Sequence, residues 1–359
     1  MPSRKRRPMR ALIIAPQWIG DAVMSEPLLA RLAARGERLA VAALPWVAPV
    51  YRAMPQVEEV IELAFAHGRL DWAKRRRIAA GLRRADSRFD AAYVLPNSIK
   101  AALIPWLARI PRRVGYRGEG RWLLLNQRLP NPGGRPPMVA FYSALAGSPV
   151  PPDARPRLQF SEAILDAAAH HAGVQRGAFW AFAPGAEYGP AKRWPAGHYA
   201  ALARALIARH GQPVLLLGSA GEAELCAQIA RQANAAAPAP EACRVLAGQT
   251  SLQDAMALIA AARGVVSNDS GLMHVAAAFG VPQAAVFGST SPEHTPPLSP
   301  HARVLWLKDE LQLDCAPCFD RVCRFGHTRC LTGVSPQRVE AALGQALASA
   351  GAPAITTTA

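Results

Sequence analysis

Three short polar stretches carry the residues best suited to group transfer. The first, Pro16-Gln17-Trp18-Ile19-Gly20-Asp21, places a carboxylate beside a glycine directly after an apolar run. A carboxylate there can act as a general base or simply cap a helix, and Gly20 allows close backbone approach to a ligand. The second, Pro184 to Pro195 (PGAEYGPAKRWP), is a Gly/Pro-rich loop in which Lys192 and Arg193 can meet phosphate oxygens. Its plainer reading is a surface loop with Trp194 packed and the cations solvated. The third, Ser267-Asn268-Asp269-Ser270-Gly271-Leu272-Met273-His274, follows Val265-Val266 and opens a helical pattern. Such a turn leaves the N–H groups of Ser270 and Gly271 to donate to an anion, with the Ser270 and His274 side chains as further contacts. The alternative is a capped helix with His274 on its surface.

Two further sets are weaker. Cys315, Cys318, Cys323 and Cys330 cluster around His327. The first pair has zinc-knuckle spacing and the second does not, so a structural zinc ion and reduced loop thiols are both open. Disulfides are not expected in a cytosolic chain. Asn97 ends a predicted strand, and Arg117 and Arg121 lie downstream in a basic, Gly-rich segment that could flank the same cleft as Asp21. Standard nucleotide signatures are missing: no Lys follows a Gly, which excludes a P-loop, and no G-x-G-x-x-G occurs.

Charge is unevenly spread. Residues 1–160 hold 27 Lys and Arg against 11 Asp and Glu, whereas residues 161–359 hold 14 of each. A basic half beside a neutral one points to a polyanionic partner for the first half: nucleic acid, an anionic membrane surface or a phosphorylated substrate. No nucleic-acid-binding motif or interleaved aromatic pattern supports the first of these. The cluster Arg4, Lys5, Arg6 and Arg7 is followed by an apolar run too short for a secretory signal, and no run is long enough to span a membrane.

The elements that position these residues alternate in type. Apolar runs at Ala11–Ala15, Leu39–Leu44, Val57–Leu63 and Ala91–Leu95 read as strands, with helices over Ala22–Arg35 and Ser98–Ala108. The proline-rich stretch Gly147 to Pro156 interrupts the series. A second series follows, with strands at Ala178–Ala183, Pro213–Leu217, Gly264–Ser267 and Pro282–Phe287 and helices at Ala196–His210, Glu222–Ala233, Ser251–Ala262 and Gly271–Phe279. Such alternation is the pattern of βαβ units around parallel sheets. The expected fold is α/β: a Rossmann-like domain over 1–150, a linker and connecting helix over 151–177, a second Rossmann-like domain over 178–335, and a closing helix and tail over 336–359, with a cleft between the domains.

Taken together, IGDAVMSEPLL, YVLPNSIKAALIPWLA, PGAEYGPAKRWP and SNDSGLMHVAAAFGVP resemble the ADP-heptose:lipopolysaccharide heptosyltransferases of glycosyltransferase family 9. The resemblance runs from about Met9 to about Ser349. It implies a GT-B fold with an acceptor domain first and a donor domain second, and inverting transfer of L-glycero-D-manno-heptose from ADP-heptose to the first heptose of the inner core on Kdo2-lipid A. Transfer to Kdo itself is the variant within the family. It further implies Asp21 as the catalytic base, Lys192 on the donor phosphates, and Asp269, Ser270, Gly271 and His274 at the donor turn. An acidic residue near the ribose falls at Glu222 or Glu224. No cofactor is implied for catalysis. The expected partners are the ADP-heptose donor, the phosphorylated lipid A/Kdo/heptose acceptor and the anionic inner-membrane surface, with no nucleic acid; the expected location is cytoplasmic, at the inner face of that membrane.

Overall fold

The computed structural model describes residues 7–65, 71–84, 88–147, 149–235 and 241–351; Arg4, Lys5 and Arg6 of the first basic cluster lie outside them. The chain divides into two compact units between Leu158 and Gln159.

In the first unit, strands β1 (Arg10–Ile14), β2 (Arg38–Ala43), β3 (Val57–Glu62), β4 (Ala91–Val94), β5 (Arg112–Tyr116) and β6 (Gln127–Leu129) form one parallel sheet in the order β3-β2-β1-β4-β5-β6. The central strands are unbroken apolar runs because helices cover both faces; Ala11, Leu12 and Ile13 have no exposed surface. The helices are α1 (Ile19–Met24), α2 (Glu26–Ala33), α3 (Ala48–Arg52), α4 (Trp72–Leu82), α5 (Ile99–Leu107) and α6 (Met138–Ser143). The single helix expected over Ala22–Arg35 is two, broken at Ser25. Pro27 has no N–H to continue the ladder and instead occupies the first turn of α2. The proline-rich stretch stays with this unit because the Arg31 guanidinium donates to Ser143 O, Gly147 O and Pro149 O at 2.7–2.8 Å.

The second unit repeats the plan. Strands β7 (Trp180–Ala183), β8 (Val214–Leu216), β9 (Cys243–Val245), β10 (Gly264–Asn268), β11 (Gln283–Val286) and β12 (Ala302–Leu305) are parallel in the order β12-β11-β10-β7-β8-β9. Its helices are α7 (Glu162–His171), α8 (Ala196–His210), α9 (Ala223–Asn234), α10 (Leu252–Ala261), α11 (Gly271–Phe279), α12 (Arg329–Thr332) and α13 (Pro336–Ser349). The core packs Trp180, Phe182, Trp194 and Tyr199 with aliphatic side chains of α8, α9 and α13.

Both sheets have the doubly wound strand order. Its direction of winding reverses between β1 and β4 in one unit and between β7 and β10 in the other. Ligands of such sheets bind beyond the carboxyl ends of the strands at that reversal. The Asp21 stretch follows β1 and Asn97 follows β4; the Lys192 loop follows β7 and the Asp269 turn follows β10. All four therefore leave their sheets at the two reversal points.

Candidate active site

Asp21 is the third residue of α1, whose N-cap is Trp18, so capping does not account for its carboxylate. The Tyr142 hydroxyl, reaching from α6, donates to Asp21 Oδ1 at 3.0 Å. Burial and the neighbouring Asp21 charge raise the Tyr142 phenol well above its ordinary range, so it remains a donor at any physiological pH. Tyr51 is likewise raised by burial and pairs its hydroxyl with Ser25 Oγ at 3.1 Å. Trp18, on the Asp21 turn, and Trp46, whose indole N–H donates to Gln17 O at 2.9 Å, each remain 46% exposed. Half-exposed indoles offer apolar faces to a carbohydrate ring.

The acceptor-side arginines separate. Arg121 is 1% exposed and donates to Pro96 O at 2.6 Å, Asn97 Oδ1 at 3.0 Å and Tyr116 O at 2.5 Å. It ties the loops after β4 and β5 together, with Asn97 as one of its acceptors, so its guanidinium is buried and engaged within the protein. Arg117 lines an open cavity of about 360 Å3 with Tyr116, Trp122 and Arg128.

In the second unit the loop after β7 is fastened by one residue that sequence patterns do not single out. Asn268, fully buried at the end of β10, accepts from Trp194 N at 2.9 Å and Tyr199 Oη at 3.1 Å and donates to Pro184 O at 2.6 Å and Gly185 O at 3.2 Å. Trp194 packs as its plainer reading expected, but Lys192 is not solvated. Its ammonium lies 2.6 Å from Asp269 Oδ2, with side-chain exposures of 14% and 4%. Thr290, beyond β11, donates to the same oxygen at 2.6 Å. Asp269 thus fixes Lys192 rather than presenting a free carboxylate. Its other neighbour, Ser270, caps α11 by backbone geometry alone. The Ser270 and Ser289 hydroxyls are buried without a hydrogen-bond partner in the protein, as expected where a polar ligand supplies one.

His274 is buried, 5% exposed, not on the helix surface. Desolvation lowers its imidazole to about 4, against the pull of Asp269 and with the help of Lys192, so it is neutral at pH 7. The unfolded chain protonates near 6.5, so between there and about 4 the unfolded state binds the extra proton and stability falls as pH falls. Chemical denaturation of wild type and His274→Gln across that window should show the wild type losing on the order of 3 kcal/mol more; parallel curves would count against a buried neutral His274.

The two acidic candidates are placed differently. Glu222 accepts from Ser219 N at 2.8 Å and Ser219 Oγ at 3.0 Å and lies over the loop after β7, where a Cβ at Gly185 would stand 1.8 Å from Glu222 Oε1. It follows β8, the neighbour of β7, where doubly wound sheets place the acid that meets a ribose. Glu224 is exposed on α9 and pairs with Arg231 at 2.9 Å.

The cysteines all stand unpaired. Cys315, Cys318, Cys323, Cys330 and His327 line one small cavity together with Ala191 and Ser289. Burial and the other three thiols push Cys330 up to about 11, while backbone N–H groups, that of Thr328 foremost, lower Cys323. Among the described residues no three His, Cys, Asp or Glu side chains are disposed to hold a metal ion; what the structure adds to the spacing is the shared cavity.

Tyr142, Asn268 and Thr290 escaped the sequence reading because each acts across long chain separations. The one available signal was a polar residue at or just beyond the carboxyl end of an apolar strand, as at Asn268 and Thr290.

The family model "Glycosyltransferase family 9 (heptosyltransferase)" matches residues 75–329. The chain is 44% identical over 313 residues to "Lipopolysaccharide heptosyltransferase 2" of Salmonella typhimurium, covering 83% of this chain and 88% of that one. It is 39% identical over 356 residues to "Lipooligosaccharide heptosyltransferase 2" of Haemophilus ducreyi, covering 95% and 100%. Among solved structures, that of E. coli ADP-heptose lps heptosyltransferase II superposes with a TM-score of 0.80 at 38% identity, over 96% of this chain and 100% of that one.

Proposed function

The chain belongs to glycosyltransferase family 9, and from that premise we propose that it transfers L-glycero-D-manno-heptose from ADP-heptose to the first heptose of the lipopolysaccharide inner core, with inversion. The observation that carries the donor half of this reading is the Lys192–Asp269–Thr290 array beside the start of α11. In the proposed reaction Asp21 takes the proton of an acceptor hydroxyl as that oxygen attacks the anomeric carbon. The bond to the donor diphosphate breaks, and the ADP leaves with its new charge met by Lys192 and the first N–H groups of α11. These are fixed dipoles and a fixed cation, so no divalent ion is assigned to the step. Glu222 takes the ribose hydroxyls.

The second-heptose acceptor is favoured over Kdo because relatives named for the second transfer match most of the chain. The acceptor is phosphorylated and lies in an anionic leaflet, which suits the basic first half. Among the described residues no helix is long and apolar enough to cross a membrane; we assign a cytoplasmic protein that meets the inner membrane peripherally.

The deciding experiment incubates purified protein with ADP-heptose and, separately, heptosyl-Kdo2-lipid A and Kdo2-lipid A, followed by mass and linkage analysis. A product only with the second acceptor would move the assignment to the first heptosyl transfer; none with either would remove it. For the ribose role, Glu222→Gln should raise the donor KM about tenfold, the cost of weakening one charged hydrogen bond, with Glu224→Gln unchanged. Equal effects from the two variants would sink the assignment.

A further inference from the structure

Given the heptosyl transfer proposed above, we infer that Trp18 and Trp46 form the subsite for the sugar ring that carries the attacking hydroxyl, and that they select a ring without a carboxylate over an acidic one. Exposure alone does not mark these indoles, since Trp72, Trp106 and Trp122 are exposed too. What sets Trp18 and Trp46 apart is that both are fastened to the turn carrying Asp21. Trp18 is the N-cap of α1 and Asp21 its third residue, the two positions whose side chains meet across a helix start in a capping box. No cap hydrogen bond occupies the Trp18 side chain, while its carbonyl accepts from Ala22 N at 2.9 Å and fixes the backbone beneath the ring. Trp46 lies in the turn after β2, the strand paired with β1, and Val47 N closes that turn by donating to Leu44 O at 3.0 Å. Its indole N–H is spent on Gln17 O, so the part of the ring that meets solvent is apolar.

Chemistry then sets what can lie there. A hydroxyl that gives its proton to Asp21 comes within about 3 Å of that carboxylate, so the ring bearing it lies over the same turn as the two indoles. One side of a pyranose presents C–H groups with partial positive charge, and an indole face carries the negative lobe of the ring quadrupole. The two attract, and their contact excludes water. A sugar carboxylate at the same faces is repelled by the quadrupole and loses hydration without a compensating partner. The heptose ring bears no carboxylate, whereas Kdo does, so the indole pair favours the first heptose as acceptor. Both tryptophans sit on backbone that is already hydrogen-bonded, so little further ordering opposes binding.

The test is steady-state transfer by the full-length protein to heptosyl-Kdo2-lipid A and to its lipid-free heptosyl-Kdo2 saccharide. Trp18→Ala and Trp46→Ala should each raise the acceptor KM about tenfold with both acceptors and leave the donor KM unchanged. Trp18→Phe and Trp46→Phe keep a π face and should recover most of that loss, although Trp46→Phe lacks the bond to Gln17 O. The Ki of Kdo2 saccharide as a competitor should hardly move in the alanine variants; a rise equal to that of the acceptor KM overturns the selectivity. A KM effect confined to the glycolipid would put the indoles on lipid and overturn the subsite. In wild type, the saccharide should protect Trp18 and Trp46 from hydroxyl-radical oxidation, with Trp106, at the far end of α5, as reactive as before. Unprotected Trp18 and Trp46 overturn the subsite even if the variants fail to fold. Wild type without transfer would remove the heptosyl reading itself, whereas wild-type transfer with the acceptor KM unmoved in both alanine variants overturns the subsite alone.

Discussion

Asp21→Ala is expected to abolish heptosyl transfer, by a factor of about 10² to 10⁴ in kcat, while ADP-heptose still binds. A base that takes a proton only as the new bond forms contributes to the transition state and not to donor affinity, so the loss belongs in kcat. Asp21→Asn should behave alike, since the amide keeps the shape and the Tyr142 contact but cannot accept the proton. The Tyr142 bond adds a sharper expectation. Tyr142→Phe removes the hydroxyl that holds the Asp21 carboxylate in place and should lower kcat with donor KM unchanged. Steady-state kinetics of that variant, with donor binding by calorimetry for Asp21→Ala, checks both statements. Near-normal turnover in Asp21→Ala would move the base elsewhere, and an unchanged kcat in Tyr142→Phe would reduce Tyr142 to a packing residue.

How far the sequence reached depended on whether a feature was local. The limits of α8 and α11 were legible because Gly211 and Gly280, at φ +65° and +73°, end them with the left-handed residue that closes many helices. The helix expected over Ser251–Ala262 is α10, and the capping box of Ser251 and Asp254 that starts it has both of its bonds. Local signals failed where a second rule competed: helical periodicity ran through Ser25, and the backbone of Pro27 stopped it. They failed altogether for contacts between distant segments. Arg121 and Arg117 look equivalent in sequence, yet only burial shows that one supports loops and the other lines a cavity. Glu222 and Glu224 differ by two positions on a helix, about half a turn, which sends one towards the strand ends and the other to solvent. The position of the donor turn was legible because a helix start after an apolar strand is a chain-local pattern; its wiring to Lys192 spans 77 residues and was not.

That wiring sets what removing Lys192 will do. Lys192→Ala should lower kcat/KM for ADP-heptose about 10² to 10³-fold, the scale for losing one preorganised group at a developing charge. It should also destabilise the second unit, because Asp269, 4% exposed, then keeps a buried carboxylate beside the Thr290 hydroxyl without its cation; breaking a buried pair costs about 3–5 kcal/mol. The two effects can be told apart. Lys192→Met with Asp269→Asn removes both charges, so most of the lost stability should return, whereas activity should not, since no cation then meets the leaving diphosphate. Thermal unfolding of the single and double variants, beside donor kinetics well below their transitions, measures each. Recovery of transfer along with stability in the double variant would mean that Lys192 supports the fold and leaves the phosphates to other groups. Stability without transfer would place the ammonium on the departing ADP, with Asp269 and Thr290 as the groups that hold it there.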